Sequence, residues 1–84
     1  MRYQIQYAPN AKKQLKKIRN KDVLRINESI NRLAYNPSLG KKLKGELNGY
    51  YSLRVWPYRV IYCIYQQKLI IFVVHVAHRQ GVYK

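Results

Sequence analysis

The stretch from Tyr50 to Tyr83, YYSLRVWPYRVIYCIYQQKLIIFVVHVAHRQGVY, is cut by turn signals into strand-length pieces with cations set among apolar residues. Trp56-Pro57 and Gln66-Gln67-Lys68 are short enough to be tight connections. Strands are therefore expected near residues 50–56, 58–65 and 69–77, joined as an antiparallel meander. Arg54, Arg59, His75, His78 and Arg79 fall within or just after these strands. Cations in apolar strands are costly unless an anion meets them. The only acids in the chain are Asp22, Glu28 and Glu46, none of them in this run. A ligand is then the expected anion, and phosphate the first candidate.

The segment before the meander supplies the remaining elements. Residues 2–7 alternate, with Tyr3, Ile5 and Tyr7 on one face of a first strand. Pro9 suits the first turn of a helix, in which Ala11, Leu15 and Ile18 form an apolar stripe. Lys12, Lys13, Lys16, Lys17 and Arg19 cover the rest of that helix, as a solvated face or as contacts to a nucleic-acid backbone. Asn20 or Asp22 is expected to cap a second helix. Its stripe is Val23, Ile26, Ile30, Leu33 and Ala34, and Asn36-Pro37 ends it. Residues 38–48 then read as a basic loop containing Lys41, Lys42 and Lys44. The order β-α-α-β-β-β points to one α+β domain over residues 1–84, a small twisted antiparallel sheet with both helices on one face.

Register sharpens the expectation for the charges. With Trp56 and Pro57 as the turn, Arg54 stands opposite Arg59, their Cβ atoms about 5 Å apart on one face. Tyr51, Leu53 and Val55 with Tyr58, Val60, Tyr62 and Ile64 form the other face, the seat for the helices. On the last strand Ile70, Phe72, Val74 and Val76 make an apolar row expected to face the helices too. That choice sends His75 and Arg79 to the open side, with His75 near Arg59. Like charges directly opposed destabilise a sheet unless an anion bridges them. His75 reads either as a hydrogen-bonded wall residue or as a catalytic group. Tyr83 reads as a packing anchor or, by the resemblance below, as part of a site.

Composition limits the partners. The 84 residues carry 17 Lys plus Arg against 3 acids, a formal charge of +14, with 48% hydrophobic residues and nine tyrosines. Such a chain is globular, and its natural partner is a polyanion. A single cysteine, Cys63, permits no internal disulfide and reads as a buried inert thiol. The longest apolar stretch, residues 69–74, is too short for a membrane span. MRYQIQYAP has no signal-peptide apolar region. The expectation is a cytoplasmic protein with no membrane partner. Neither a metal-ligand cluster nor a phosphate-cradling Gly-rich loop is evident, so no metal and no cofactor is expected.

These residues carry a resemblance. KLKGELNGYYSLRV, PYRVIY and VAHRQGVY, after a first strand and two helices ending in Asn36-Pro37, resemble the RelE/ParE superfamily of type II toxin–antitoxin toxins over nearly the whole chain. His78-Arg79 followed by Val82-Tyr83 is similar to the RelE branch, whose members cleave mRNA in the ribosomal A site. The resemblance implies a metal-independent endoribonuclease in which the ribose 2′-hydroxyl attacks the scissile phosphate. By position, Arg59, Arg79, Tyr83 and His78 match the catalytic set. Arg54, Ser52, Lys41, Lys42, Lys44 and His75 complete the expected RNA-binding set. Ser52 stands where the best-studied RelE type has a lysine, and Trp56-Pro57 replaces a Gly-Asp turn. Lys41 and Lys42 occupy the region where related nucleases place a glutamate. The resemblance also implies an acidic RelB-like antitoxin and operator binding by the pair. A ParE-like gyrase inhibitor and a catalytically inactive antitoxin-binding member are the alternatives.

Overall fold

The computed structural model describes residues 2–78. Strand β1 (Gln4–Tyr7) leads into helix α1 (Pro9–Lys16) and then helix α2 (Asn20–Leu33). Pro9 sits in the first turn of α1, where its missing N–H is no loss. Strands β2 (Lys41–Lys42), β3 (Tyr51–Val55), β4 (Tyr58–Tyr65) and β5 (Ile70–His78) follow. The sheet order is β1-β5-β4-β3-β2.

The α+β architecture is the expected one, with two differences in the sheet. Strand β1 pairs with β5 in parallel, so the sheet is mixed rather than wholly antiparallel. The basic loop also contributes β2, antiparallel to β3. Both helices bury their stripes on one sheet face. Ala11, Ile26, Ile30 and Leu33 are fully buried against Val55, Val60, Tyr62, Ile71, Val73 and Val76, with Tyr3, Ile5, Tyr7 and Leu15 packed around them. Each large aliphatic side chain removed from water there contributes roughly 1.5–3 kcal/mol.

Two expectations are corrected. Helix α2 has no side-chain cap from Asn20 or Asp22; Arg19 flanks its start. Asp22 instead shares the buried stripe with Ile26, Ile30 and Leu33, and its carboxylate accepts a 2.9 Å hydrogen bond from the Tyr58 hydroxyl. The face assignment of β5 changes midway. Ile61 pairs with His75 but Tyr62 pairs with Val73, leaving Val74 as an extra residue. Such a bulge reverses side-chain parity. Before it Ile71 and Val73 are the core residues, and after it Val76 is. The expected row of Ile70, Phe72, Val74 and Val76 is therefore broken.

A phenol fixes the segment that reaches β2. Fully buried Tyr62 donates its hydroxyl hydrogen to the Pro37 carbonyl at 2.7 Å and accepts from the Gly40 N–H at 3.0 Å. Burial pushes the phenol's pKa up, keeping it a neutral donor. A Cβ on Gly40 would collide with that hydroxyl oxygen and crowd the Ser52 carbonyl, so glycine is what permits the approach.

Candidate functional site

The hairpin of β3 and β4 positions the central pair. Val55 pairs with Tyr58 across the Trp56-Pro57 turn, whose peptide bond is cis, and Arg54 is registered directly opposite Arg59. Like charges directly opposite each other work against strand pairing. One pair further along, Ser52 lies between Lys41 on β2 and Ile61 on β4. Alternation puts Lys41, Ser52, Arg54, Arg59 and Ile61 on the face away from the helices.

These residues enclose a depression of about 530 Å³, lined by Leu39, Lys41, Leu43, Ser52, Arg54 and Arg59. Three of the six are cations and none is an acid. Leu39 and Leu43 give it apolar walls, while Lys41 and Arg54 are exposed. Ser52 is 7% exposed, and its buried Oγ has no hydrogen-bond partner among the described residues. Leaving such a hydroxyl unpaired costs about 1–3 kcal/mol. A concave cationic surface with an unsatisfied donor in its wall suits an oxyanion such as phosphate.

The other expected residues are distributed differently. Lys42 pairs with Tyr51 and is directed by alternation to the opposite face from Lys41. Lys44 is exposed in the loop after β2, outside the depression. His75 is not opposite Arg59, whose partner on β5 is Ala77. Its Nδ1 instead lies 3.3 Å from the Asn10 side-chain amide and 3.1 Å from that of Gln14. Gln14 also accepts the Val76 N–H at 2.6 Å, so α1 binds the part of β5 beyond β1. His75 shares a second hollow with Glu46, Tyr50 and Ile61.

His78 stands opposite Tyr58, and Tyr58 faces the helices. The Val74 bulge therefore delivers His78 to the helix side of the sheet, across from the arginines. Its ring meets Tyr58 edge-on with centroids 5.9 Å apart. It lines a broad groove with Lys17, Arg19, Tyr58 and the exposed Trp56. Asp22 anchors this groove. The Tyr58 hydroxyl, followed by Arg25 at 3.2 Å and Arg19 at 3.7 Å, holds the Asp22 carboxyl below its ordinary pKa despite burial. The same bond pushes the Tyr58 phenol up. Sequence reading missed Asp22, although its i, i+4 spacing to Ile26 marked it as part of the buried stripe. Arg79 and Tyr83 lie outside the described residues. Among the described residues no three His, Cys, Asp or Glu side chains gather to hold a metal ion, and no helix is long and apolar enough to cross a membrane.

A two-helix layer on a five-stranded mixed sheet matches the structures of RelE-like toxins of the RelE/ParE superfamily. The chain is similar to a chain of the RelBE2 toxin–antitoxin complex from Mycobacterium tuberculosis, at 27% identity and TM-score 0.87, over 94% of this chain and 100% of that one. It is similar to a chain of the archaeal RelE–RelB complex from Pyrococcus horikoshii, at 25% identity and TM-score 0.79, over 99% and 100%. The free E. coli toxin RelE, as a mutant, shares the fold at 20% identity and TM-score 0.83, over 98% of this chain and 88% of that one. No curated protein sequence matches the chain. Residues 5–83 match the family described as the ParE toxin of type II toxin-antitoxin system, parDE, and the chain belongs to that family. It is a toxin of a type II toxin–antitoxin system.

Proposed function

We propose that this toxin is a ribosome-dependent mRNA endoribonuclease whose open sheet face holds the scissile phosphate. The observation carrying this reading is the opposition of Arg54 and Arg59 beside Lys41, in a depression with no acid among its described lining residues. In the proposed step the ribose 2′-oxygen forms a bond to phosphorus while the bond from phosphorus to the 5′-oxygen breaks. One proton leaves the 2′-hydroxyl and one reaches the departing 5′-oxygen. The products are a 2′,3′-cyclic phosphate and a 5′-hydroxyl end.

Arg54 and Arg59 bind the phosphate, and Arg79 stabilises the added negative charge of the transition state. Tyr83 is the proton-transfer group on this reading, because His78 sits across the sheet from the arginine pair. An acidic RelB-like antitoxin is the proposed partner, supported by the RelB–RelE complexes among the similar structures. Binding of operator DNA by the pair belongs to the same proposal, as does a cytoplasmic site of action. Inhibition of DNA gyrase by binding alone is a second reading, favoured by the ParE description of the matching family.

Induction of the toxin in cells, with mRNA 5′ ends mapped and DNA damage monitored, tests the two. Truncated messages without DNA damage support the nuclease. DNA damage with intact messages overturns it in favour of gyrase. Growth arrest that persists in the Arg59→Ala, Arg79→Ala double variant would remove both arginines from the site.

A further inference from the structure

We propose that Glu46 selects a guanine base of the bound RNA, in the hollow that adjoins the arginine pair on the open face. The inference rests on the reading of that face as the RNA-binding face. It concerns which base is chosen there, not how the backbone is held.

The hollow measures about 470 Å³ and is lined by Glu46, Leu47, Tyr50, Ile61, Val74 and His75. Ile61 lies two residues along β4 from Arg59. Two residues of strand span about 7 Å, comparable to the separation between a base and its own phosphate. Glu46 is the residue there that calls for a reason. The chain sets 3 acids against 17 Lys plus Arg. Yet among the described residues Glu46 makes no ion pair, and no lysine or arginine lines its hollow. The backbone fixes its place. Gly45 and Gly49 adopt φ values of 68° and 97° on either side of it, a conformation that suits glycine. Asn48 N–H donates to the Gly45 carbonyl and Tyr50 N–H to the Leu47 carbonyl, both at 3.0 Å. Leu43 N–H closes the loop onto the Tyr50 carbonyl, also at 3.0 Å.

A carboxylate repels phosphates, so it is unsuited to holding an RNA backbone. It suits the N–H donors on a base edge. Guanine alone among the RNA bases presents two parallel donors, N1–H and N2–H, which the two carboxylate oxygens accept together. Adenine and cytosine place an acceptor nitrogen beside their amino group, and uracil flanks its N–H with carbonyls. Tyr50 offers an aromatic wall on which the base stacks, over a floor of Leu47, Ile61 and Val74. His75 does not compete for the carboxylate. Gln14 Oε1 accepts the Val76 N–H at 2.6 Å, so its amide nitrogen faces the imidazole, 3.1 Å from Nδ1. An amide nitrogen only donates, so the ring accepts there and is uncharged.

Three fluorescent 12-nucleotide RNAs test this by anisotropy. Each is uridine throughout except for one central guanosine, inosine or adenosine, and 2′-fluoro substitution blocks cleavage. The guanosine strand is expected to bind about tenfold tighter than the adenosine strand. Inosine lacks the N2 amino group and should fall between them. Glu46→Gln should bring the guanosine strand to within about twofold of the adenosine strand, since a carboxamide has one acceptor oxygen. Tyr50→Leu should weaken all three about tenfold and keep their order. Equal binding of the three strands by the unaltered toxin, or a guanosine preference that survives Glu46→Gln, would overturn the inference. The Arg54→Ala, Arg59→Ala variant then shows how far the failure reaches. If it loses binding of all three strands, only the role of Glu46 falls. If it binds them as the unaltered toxin does, the RNA-binding reading of the face falls as well. Circular dichroism of each variant confirms that the fold is retained.

Discussion

The two faces of this sheet treat cations in opposite ways. On the helix-bearing face Arg19 and Arg25 converge on Asp22, a carboxylate sunk in the α2 stripe and hydrogen-bonded to Tyr58. On the open face Arg54 and Arg59 are set against each other with Lys41 alongside, and no acid lines their depression among the described residues. The first arrangement gathers cations around a carboxylate, and the second sets like charges against each other on an open face. Residue type is the same in both places. The neighbours separate a cation that closes on an acid of the fold from one that faces an open depression.

The sharpest test of this contrast removes both opposed arginines. Arg54→Ala with Arg59→Ala should lower mRNA cleavage by at least about 10³-fold, since one charge stabiliser is worth roughly 10²–10³. Its thermal midpoint should fall by less than that of Ile30→Ala, because both guanidinium groups stand on the open face. A fall as large as that of Ile30→Ala would break the contrast by showing that the pair supports the fold. Ile30→Ala, on the packed face, should do the reverse. It should cost about 2–5 kcal/mol in denaturant unfolding, leaving the RNA affinity of the folded fraction unchanged.

A smaller effect is expected from Tyr62→Phe, which deprives Gly40 N–H and the Pro37 carbonyl of their partner. About 1–2 kcal/mol should be lost, and amide exchange should quicken through β2 ahead of β4. The smallest effect concerns pH. The Asp22 carboxyl is held below its ordinary value of 3.8, chiefly by the Tyr58 hydroxyl. Its contribution is therefore present at neutral pH, starts to fade as pH falls through about 4, and is gone below the folded value. Urea midpoints for Asp22→Asn should vary less with pH over that window than those of the unaltered toxin. An identical pH profile would show that the Asp22–Tyr58 tie contributes nothing to folding.

Much of the architecture was legible because alternation and turn length fix register locally. In residues 51–62 polar and apolar residues alternate around a two-residue turn, so the opposition of Arg54 and Arg59 followed directly. The stripes of α1 and α2 were equally plain from spacing. The first half of β5 was not. Ile70-Ile71-Phe72-Val73-Val74 is apolar at both parities, so nothing in the letters marks which residue is the extra one. Strand β2 was hidden because two consecutive lysines carry no strand signal, and pairing with β3 alone makes them one. The parallel placement of β1 and the bond between Asp22 and Tyr58, 36 positions apart, arise from packing between distant segments. At the candidate site the arginine pair was readable, while the separation of Lys41 from Lys42 and the displacement of His75 from Arg59 depended on those hidden features.

The single extra residue at Val74 bears on how proteins of this kind can be compared. A chain with the same His-Arg ending and the same number of residues, but with the last strand running on unbulged at that point, would shift its pairing by one and present its histidine on the face of the arginines instead of the helix side. Two such chains would share every letter of the motif and differ in what the letters touch. Motifs downstream of a bulge are thus conserved in spelling more readily than in space, and transferring a role by alignment across this point requires counting the strand as well as matching it.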